Sequence, residues 1–291
     1  MIIVELKGGL GNQMFQYAFG YAHAKRLGVE LALEISDKTL QIHNGFELNR
    51  VFNIKDRIAT QKDMRAVLGL VSNKLIVKTS KYLSLNKFFS SRLVEEQHYH
   101  FAPNMLTISD NSFVCGYWQS EQYFLEIKNE IRTIFKFKKS LTKQNIAISK
   151  IIDRSNSVSL HVRRNDYANN PKINATHGLC GLDYYQAAIE YIKERISLPY
   201  FIIFSDDIAW VKEHLKINDP HQYVDFNIGV ESHNDMHLMS LCKHHIIANS
   251  SFSWWGAWLN PNTEKIVLAP KIWFANQTNT DDLIPQQWIR M

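Results

Sequence analysis

The amino-terminal segment constrains the fold most, because within a few positions its residues change from the period of a strand to that of a helix. The β-branched run Ile2–Leu6 is followed by a glycine-rich turn at 8–12, and apolar residues then recur at helical spacing over 13–27. Gly28 is placed to end this helix, and 29–35 has the composition of a second strand. A strand, a glycine turn, a helix and another strand predict an α/β unit with parallel strands.

Strands and helices alternate again in the carboxyl-terminal half. The predicted elements are, in order, strand 158–162, helix 184–195, strand 200–204, helix 235–242, strand 245–248, helix 252–259 and strand 266–269. A strand at 113–116 and a helix at 121–135 are predicted between the two series. The chain is therefore predicted to form two Rossmann-like domains, 1–150 and 151–291, whose parallel sheets face a central cleft. The last residues are candidates for packing back on the first domain.

Composition narrows the class of protein. The chain has 291 residues, of which 45% are hydrophobic and 21% charged, values that exclude a disordered or fibrous protein. The net charge of +5 suits anionic small ligands or an acidic membrane surface, and it is too small and dispersed to indicate nucleic-acid binding. The three cysteines have neither a disulfide framework nor zinc-site spacing, which favours a reducing compartment.

The sequence predicts a soluble, cytoplasmic protein. Its first residues lack the basic and apolar regions of a signal peptide, and apolar runs fall short of the ~18 residues of a membrane span. A basic run, interpreted as a solvated helix face that rests near anionic lipid at the inner side of the membrane, comprises Lys74, Lys78, Lys81, Lys87 and Arg92.

The segment 161–167 (His-Val-Arg-Arg-Asn-Asp-Tyr) is the most informative motif. It begins where a predicted strand ends, which is where open α/β sheets bind ligands. The guanidinium groups of Arg163 and Arg164 present planar forks of donors that match phosphate oxygens. A surface arginine pair with Asp166 as a counter-ion is the simpler interpretation, but the position after a buried strand and beside His161 favours a phosphate site.

A second motif, 249–256 (Asn-Ser-Ser-Phe-Ser-Trp-Trp-Gly), also follows a strand and opens a helix. Backbone N–H groups and the dipole at a helix start attract anions, while Ser250 or Ser251 can also serve as an ordinary N-cap. Both roles are compatible. The pair Trp254 and Trp255 is interpreted as core packing.

Two further motifs leave alternatives open. The turn 8–13 (Gly-Gly-Leu-Gly-Asn-Gln) is an incomplete dinucleotide fingerprint, because Met14 occupies the third glycine position; Glu34 or Asp37 would be the ribose acid. The acids Asp206 and Asp207 follow a predicted strand and suggest either a metal site or a helix N-cap, of which we favour the N-cap.

Four motifs in order make the chain similar to the α-1,2-fucosyltransferases of glycosyltransferase family 11. They are 9–18 (Gly-Leu-Gly-Asn-Gln-Met-Phe-Gln-Tyr-Ala), 116–121 (Gly-Tyr-Trp-Gln-Ser-Glu), 161–167 and 249–256. The resemblance spans nearly the whole chain. The sequence looks like a bacterial member of the family, one that builds surface polysaccharide. It implies an α/β fold of GT-B type, with acceptor binding in 1–150 and GDP-L-fucose binding in 151–291. It also implies inversion, no required metal or other cofactor, and transfer to the 2-hydroxyl of galactose on a β-galactoside oligosaccharide or lipid-linked glycan.

The resemblance also implies residue roles. Arg163 matches the arginine that holds the β-phosphate, His161 the histidine at the guanine end, and Ser251 a serine on the diphosphate. Asp235 opens an Asp-Met-His segment that looks like the guanine reader, and a carboxylate that accepts two N–H bonds suits that base. The other residues predicted to bind the donor are Gly11, Asn12, Gln13, Asn249, Ser250 and Phe252.

Catalysis requires charge stabilisation and a base. Arg163 and Arg164 are predicted to stabilise the departing diphosphate. Asp166 and His177 are the candidates for the base that deprotonates the acceptor hydroxyl, because an imidazole titrates near neutral pH and Asp166 adjoins the arginines. The alternative functions are a nucleotide-sugar-binding protein without transfer activity and an NAD-dependent oxidoreductase.

Overall fold

A computed structural model describes residues 1–35, 37–69, 92–164, 170–276 and 278–291. The chain divides into two compact units, Met1–Lys136 and Phe137–Met291. The boundary predicted near residue 150 falls inside the helix Lys143–Arg154. This helix belongs to the second unit because its buried face packs in that unit's core.

The first unit is built on a five-stranded parallel sheet. Its strands are β1 (Ile2–Leu6), β2 (Leu31–Ile35), β3 (Arg57–Ile58), β4 (Leu93–Glu95) and β5 (Ser112–Cys115). Their order is β3-β2-β1-β5-β4, and every neighbouring pair is parallel. The chain therefore builds outward from β1 to β3 and then fills the other side, so that the strand order reverses between β1 and β5.

The helix predicted after β1 is present and ends as expected. It spans Leu10–Leu27, and Gly28 caps it in the left-handed conformation with φ of 67°. The remaining described helices of this unit are Asp37–Gln41, Leu48–Val51, Gln61–Leu68 and Lys128–Ile134, and its 3₁₀ turns are Pro103–Thr107, Glu121–Tyr123 and Leu125–Ile127.

The single helix predicted over 121–135 is wrong. Two 3₁₀ turns precede a shorter helix, because Phe124 leaves helical conformation (φ −135°, ψ 13°). The Phe124 ring is buried and lies 6.3 Å from the ring of Phe15, so tertiary packing overrides the local helical pattern.

The second unit contains a six-stranded parallel sheet. Its strands are β6 (Asn156–Val162), β7 (Pro199–Ser205), β8 (His221–Val224), β9 (His244–Ile246), β10 (Val267–Ala269) and β11 (Ile289–Arg290). The order is β11-β10-β9-β6-β7-β8, which reverses between β6 and β9. The last residues pair with β10 as the edge strand β11 and so extend this sheet.

Helices cover both faces of this sheet. They span Lys143–Arg154, Pro171–His177, Leu182–Lys193, Ile208–His214, His233–Leu241 and Ser251–Leu259, with a 3₁₀ turn at Gly229–Glu231. In β7, Phe201 and Ile203 enter one core cluster while Ile202 and Phe204 enter the opposite one. This alternation is the period of a strand buried on both faces. The tryptophans at 254 and 255 are fully buried, as predicted.

Some predicted features lie outside the described residues. Asn165, Asp166 and Tyr167 do so, as do the lysines of the basic run, so the predicted membrane contact stays a prediction. In the part of the chain that the structure describes, no helix combines the length and apolarity needed to cross a bilayer.

Candidate active site

Three sequence motifs meet at the carboxyl ends of neighbouring strands in the second unit. Arg163 and Arg164 follow β6, the acids 206–207 follow β7, and 249–251 follow β9. Because β6 pairs in parallel with both β7 and β9, these three loops share one edge of the sheet. The strand order reverses between β6 and β9, and such a reversal opens a crevice in which α/β proteins bind ligands.

Asp206 holds the start of the arginine loop. Its Oδ2 lies 3.0 Å from Nη1 of Arg163, and its Oδ1 accepts a 2.8 Å hydrogen bond from the backbone N–H of Arg164. The Arg163 and Asp206 side chains are 26% and 19% exposed, so the ion pair is largely shielded from solvent. Asp206 therefore orients Arg163 at the sheet edge.

Arg164 is held differently. Its guanidinium carbon lies 3.5 Å from the centre of the Trp210 ring, and its Nε lies 3.7 Å from Oδ2 of Asp207. A guanidinium packed on an indole face at this distance makes a cation–π contact. The sequence analysis did not predict this role of Trp210, although its position one helical turn after the acidic pair could have indicated it.

The acidic pair has structural partners. Asp207 is the N-cap of the helix Ile208–His214, and its Oδ1 accepts a 3.2 Å hydrogen bond from the N–H of Trp210. The N-cap expected from the sequence is therefore present. Among the described residues, no group of three or more His, Cys, Asp or Glu side chains is arranged to hold a metal ion.

His161 is a buried imidazole at this edge. It is 6% exposed, and burial, together with the nearby charge of Arg163, lowers its pKa to about 3. It is therefore neutral at physiological pH. Its Nδ1 is buried with no hydrogen-bond partner among the described residues, and its ring lies 6.0 Å from the Phe252 ring. A buried polar atom left unsatisfied at a sheet edge suits a ligand contact.

In the motif after β9, Ser250 caps a helix and the Asn249 side chain hydrogen-bonds to neighbouring loops. Ser250 is the N-cap of the helix Ser251–Leu259, and its hydroxyl accepts a hydrogen bond from the N–H of Phe252. Asn249 is 2% exposed and donates from Nδ2 to the carbonyls of His177 (2.9 Å) and Trp273 (3.2 Å). Asn249 therefore joins three loops inside the protein.

The bond from Asn249 also locates His177. This residue ends the helix Pro171–His177, and its ring packs 5.3 Å from the ring of Phe274. The structure thus brings His177 next to the end of β9, although 72 positions separate it from Asn249 in the sequence. Asp166, the other predicted base, lies outside the described residues.

Asp235 lies in a separate polar network. Its Oδ1 accepts a 2.7 Å hydrogen bond from Asn227, which in turn exchanges hydrogen bonds with Asn145. Burial raises the pKa of Asp235 to about 7. Two residues on, His237 stacks on Phe137 with ring centres 4.2 Å apart. A carboxyl group buried in this way can accept N–H donors once it is ionised.

The comparison with known proteins decides the family. The model of Glycosyl transferase family 11 matches residues 1–291, the whole chain. The chain belongs to this family. It is therefore a glycosyltransferase, and the alternative of an NAD-dependent oxidoreductase is set aside.

Relatives of this family 11 glycosyltransferase include a colitosyltransferase and fucosyltransferases. An alpha-1,2-colitosyltransferase from Escherichia coli is 38% identical, with 100% of this chain and 99% of the relative covered. A galactoside 2-alpha-L-fucosyltransferase, SEC1, from Bos taurus is 26% identical, with 88% and 63% covered. Among solved structures, the NodZ alpha-1,6-fucosyltransferase soaked with GDP-fucose matches with a TM-score of 0.53 and 15% identity, covering 89% and 92%. This likeness confirms the predicted fold class.

The glycine turn of the family 11 chain lies in the first unit. Gln13 is fully buried; its Nε2 donates to the carbonyls of Gly8 (2.9 Å) and Gly45 (2.8 Å), and its Oε1 accepts from the N–H of Glu47 (2.9 Å). Its amide therefore holds the turn together. Gly11 and Asn12 lie in the first turn of the helix Leu10–Leu27, and Asn12 is only partly buried.

Proposed function

We propose that this glycosyltransferase transfers L-fucose from GDP-L-fucose to the 2-hydroxyl of a terminal β-galactoside, with inversion at the anomeric carbon. The observation that carries the proposal is the position of Arg163, oriented by Asp206 at the point where the strand order of the second sheet reverses. A cation fixed at that point suits a diphosphate leaving group.

The charge that develops on GDP as the sugar departs would be stabilised by two neighbouring groups. Arg163 supplies a guanidinium fork, and the helix Ser251–Leu259 supplies the backbone of its first turn and the positive end of its dipole. Because the bond breaks with charge moving to oxygen, donors placed in advance lower the barrier more than they stabilise the bound substrate.

The nucleobase would be recognised by Asp235 and His161. An ionised Asp235 can accept both N–H groups on the guanine edge, a pairing that adenine cannot reproduce. The neutral His161, with its unsatisfied Nδ1, can offer one more hydrogen bond to the nucleotide. Selectivity for GDP over ADP is the expected consequence.

The base that accepts the acceptor proton would be His177 or Asp166. The hydrogen bond from Asn249 to the His177 carbonyl holds the backbone of this residue near the end of β9, which supports its candidacy. A pH–rate profile separates the two, since only loss of the true base abolishes the ascending limb in His177→Ala or Asp166→Asn.

Because Arg163 and the helix amides carry the diphosphate charge in this proposal, turnover should not depend on a divalent cation. Addition of EDTA is expected to leave the rate of GDP release unchanged. A rate that collapses with chelator and returns with Mg²⁺ would contradict this part of the proposal.

The test of the reaction is incubation of the protein with GDP-fucose and a panel of β-galactosides, followed by NMR assignment of the new linkage. An α-linked fucose on the galactose 2-hydroxyl is the expected product. Calorimetry with GDP and NAD runs in parallel, because GDP binding without any transfer would leave a nucleotide-sugar-binding protein as the better description.

A second donor is favoured by the 38% identity to the colitosyltransferase. Colitose is the 3-deoxy analogue of L-fucose, so the diphosphate and guanine contacts proposed above would be the same for both donors. Competition between GDP-fucose and GDP-colitose in one reaction decides between them, since the ratio of kcat/KM values measures the preference directly.

A further inference from the structure

The first unit contains a cavity of about 340 Å³ at the carboxyl ends of β4 and β5. Its lining includes Glu96, which directly follows β4, and Trp118, which lies in the loop after β5. Four more aromatic residues line it, namely His98, His100, Phe101 and Tyr123, beside smaller polar and apolar residues of 97–105. The cavity therefore lies at the edge of this sheet where α/β proteins bind ligands.

Trp118 is held in an unusual conformation beside this cavity. Its φ is 56°, a left-handed value that bulky residues rarely adopt, and its side chain is fully buried. Its ring is stacked on the Phe19 ring with centres 4.0 Å apart. Its backbone N–H donates a 2.9 Å hydrogen bond to Oε1 of Glu96. At Gly116, a Cβ would lie 2.9 Å from the Trp118 indole, so glycine there permits this placement.

The Trp118 indole has an unsatisfied donor. Its Nε1 is buried with no hydrogen-bond partner in the part of the chain that the structure describes. An indole N–H can only donate, and leaving it buried without an acceptor is unfavourable. Since Trp118 lines the cavity although its side chain is fully buried, we count only its aromatic ring as part of the wall.

The chemistry of the wall selects the class of ligand. Among the described residues that line the cavity none is Lys or Arg, and the carboxylate of Glu96 accepts hydrogen bonds from the N–H groups of Tyr117 (2.6 Å) and Trp118 (2.9 Å). A wall with a carboxylate and no cation disfavours a diphosphate. Aromatic faces together with the imidazoles of His98 and His100 suit a neutral ring that presents both C–H and hydroxyl groups.

We propose that this cavity binds a neutral sugar residue of the acceptor glycan, an inference that rests on the proposed function. The loop that carries Trp118 is joined to the glycine turn of the family motif on both sides of that residue: Gln119 donates a 2.8 Å hydrogen bond to Oδ1 of Asn12, and Gln16 donates to the carbonyl of Gly116 at 3.1 Å. Both segments follow β1 and β5, the strands between which the order of the first sheet reverses. A bound sugar is thus held beside the reversal point of this sheet.

The experiment compares acceptor and donor kinetics in three variants. His98→Ala and Phe101→Ala shorten the wall, and Leu125→Ala is the control, an exposed apolar truncation in the same unit outside the cavity lining. With lactose and methyl β-galactoside as acceptors, KM for the acceptor is expected to rise about 10-fold in the first two variants, in line with one lost ring contact. KM for GDP-fucose should stay unchanged in all three.

The outcomes are distinct. If the acceptor KM rises with lactose alone, the cavity holds the sugar that is linked to galactose. If the acceptor KM rises with both acceptors, the cavity holds galactose itself. Either result supports the proposal. Unchanged acceptor KM in both wall variants, or a rise in donor KM, overturns it. If GDP-fucose gives no turnover at all, the proposed function fails, and saturation-transfer NMR with lactose then tests sugar binding in the cavity by itself. A lactose signal in the wild type that is lost in Phe101→Ala supports the cavity proposal. No lactose signal in the wild type overturns it.

Discussion

Two adjacent arginines with the same chemistry have different surroundings in this protein. Arg163 is paired with the carboxylate of Asp206 and is 26% exposed at the sheet edge. Arg164 is packed on Trp210, and its backbone N–H is bound by Asp206. A guanidinium that covers an indole has one face already occupied, so the two side chains are expected to contribute unequally to phosphate binding.

Replacement of Arg163 tests the central electrostatic role. Arg163→Ala should lower kcat on the order of 100-fold or more, the usual effect of removing one preorganised donor at a developing oxyanion. Arg163→Lys restores the charge without the planar fork and should recover part of the loss. The measurement is the initial rate of GDP release at saturating donor, and a kcat for Arg163→Ala equal to that of the wild type would refute the assignment.

The raised pKa of Asp235 predicts pH-dependent nucleotide binding. Burial raises this pKa to about 7, so the carboxyl group is protonated below that pH and must lose its proton to accept two guanine N–H groups. GDP affinity should therefore fall as the pH drops from 8 to 6, by up to about tenfold per unit below pH 7. Calorimetry across this range measures it.

Asp235→Asn is the control for that prediction. The amide cannot ionise, so GDP affinity in this variant should be low and flat with pH. The same substitution removes a buried group that becomes charged as pH rises, and stability should then decline less between pH 4 and pH 7 than in the wild type. A wild-type affinity that does not change between pH 6 and pH 8 would contradict the role.

At the scale of elements, loops are held in place by buried amide side chains. Gln13 binds two backbone carbonyls and one N–H around the glycine turn of the first unit. Asn249 does the equivalent at the end of β9, where its side chain joins the loops at His177 and Trp273. Such amides set the positions of loops that carry site residues without themselves needing to contact a ligand.

Loss of the hydrogen bonds from the Asn249 side chain should lower the free energy of unfolding measurably. Asn249→Ala removes the side-chain donor to the carbonyls of His177 and Trp273, of which the bond to Trp273 is buried, and is expected to lower the free energy of unfolding by about 1–3 kcal/mol. Urea denaturation followed by tryptophan fluorescence measures the change. Ser251→Ala, at a partly buried helix position, is the matched control and should change stability by less than about 0.5 kcal/mol.

Element prediction from the sequence succeeded where patterns are long. The helix after β1, the strand Asn156–Val162 and the helix Ser251–Leu259 lie close to their predicted bounds. The edge strands His221–Val224 and Ile289–Arg290 were missed because their sequences, His-Gln-Tyr-Val and Ile-Arg, lack the apolar run that marks the central strands. They form strands because they pair with β7 and β10, respectively, at the two edges of the second sheet.

At the scale of the whole molecule, both units use the same design. Each sheet reverses its strand order once among the described strands, between β1 and β5 in the first and between β6 and β9 in the second. The family motifs follow these four strands, which explains why four separated segments carry the resemblance. The first unit offers an aromatic cavity, and the second offers cations and a helix start.

This division predicts where GDP protects the chain. In hydrogen–deuterium exchange, GDP should slow exchange at 161–164 and 249–253 in the second unit, because ligands stabilise the segments they bind. Peptides covering 96–105, around the aromatic cavity, should be unaffected. ADP serves as the control nucleotide and should protect weakly. Protection by GDP confined to the first unit would reverse the assignment of the donor site.

The sequence by itself determined the local order of strands and helices, the two α/β series, the buried tryptophans and the family motifs, because burial period and motif spacing are properties of neighbouring residues. Only the tertiary structure decided which distant groups meet: Asp206 with Arg163, Trp210 with Arg164, and Gln119 with Asn12. The two side chains of each pair come from different strand ends or loops. Their contact depends on strand order and on the exact course of each loop, and no periodicity in the sequence encodes either.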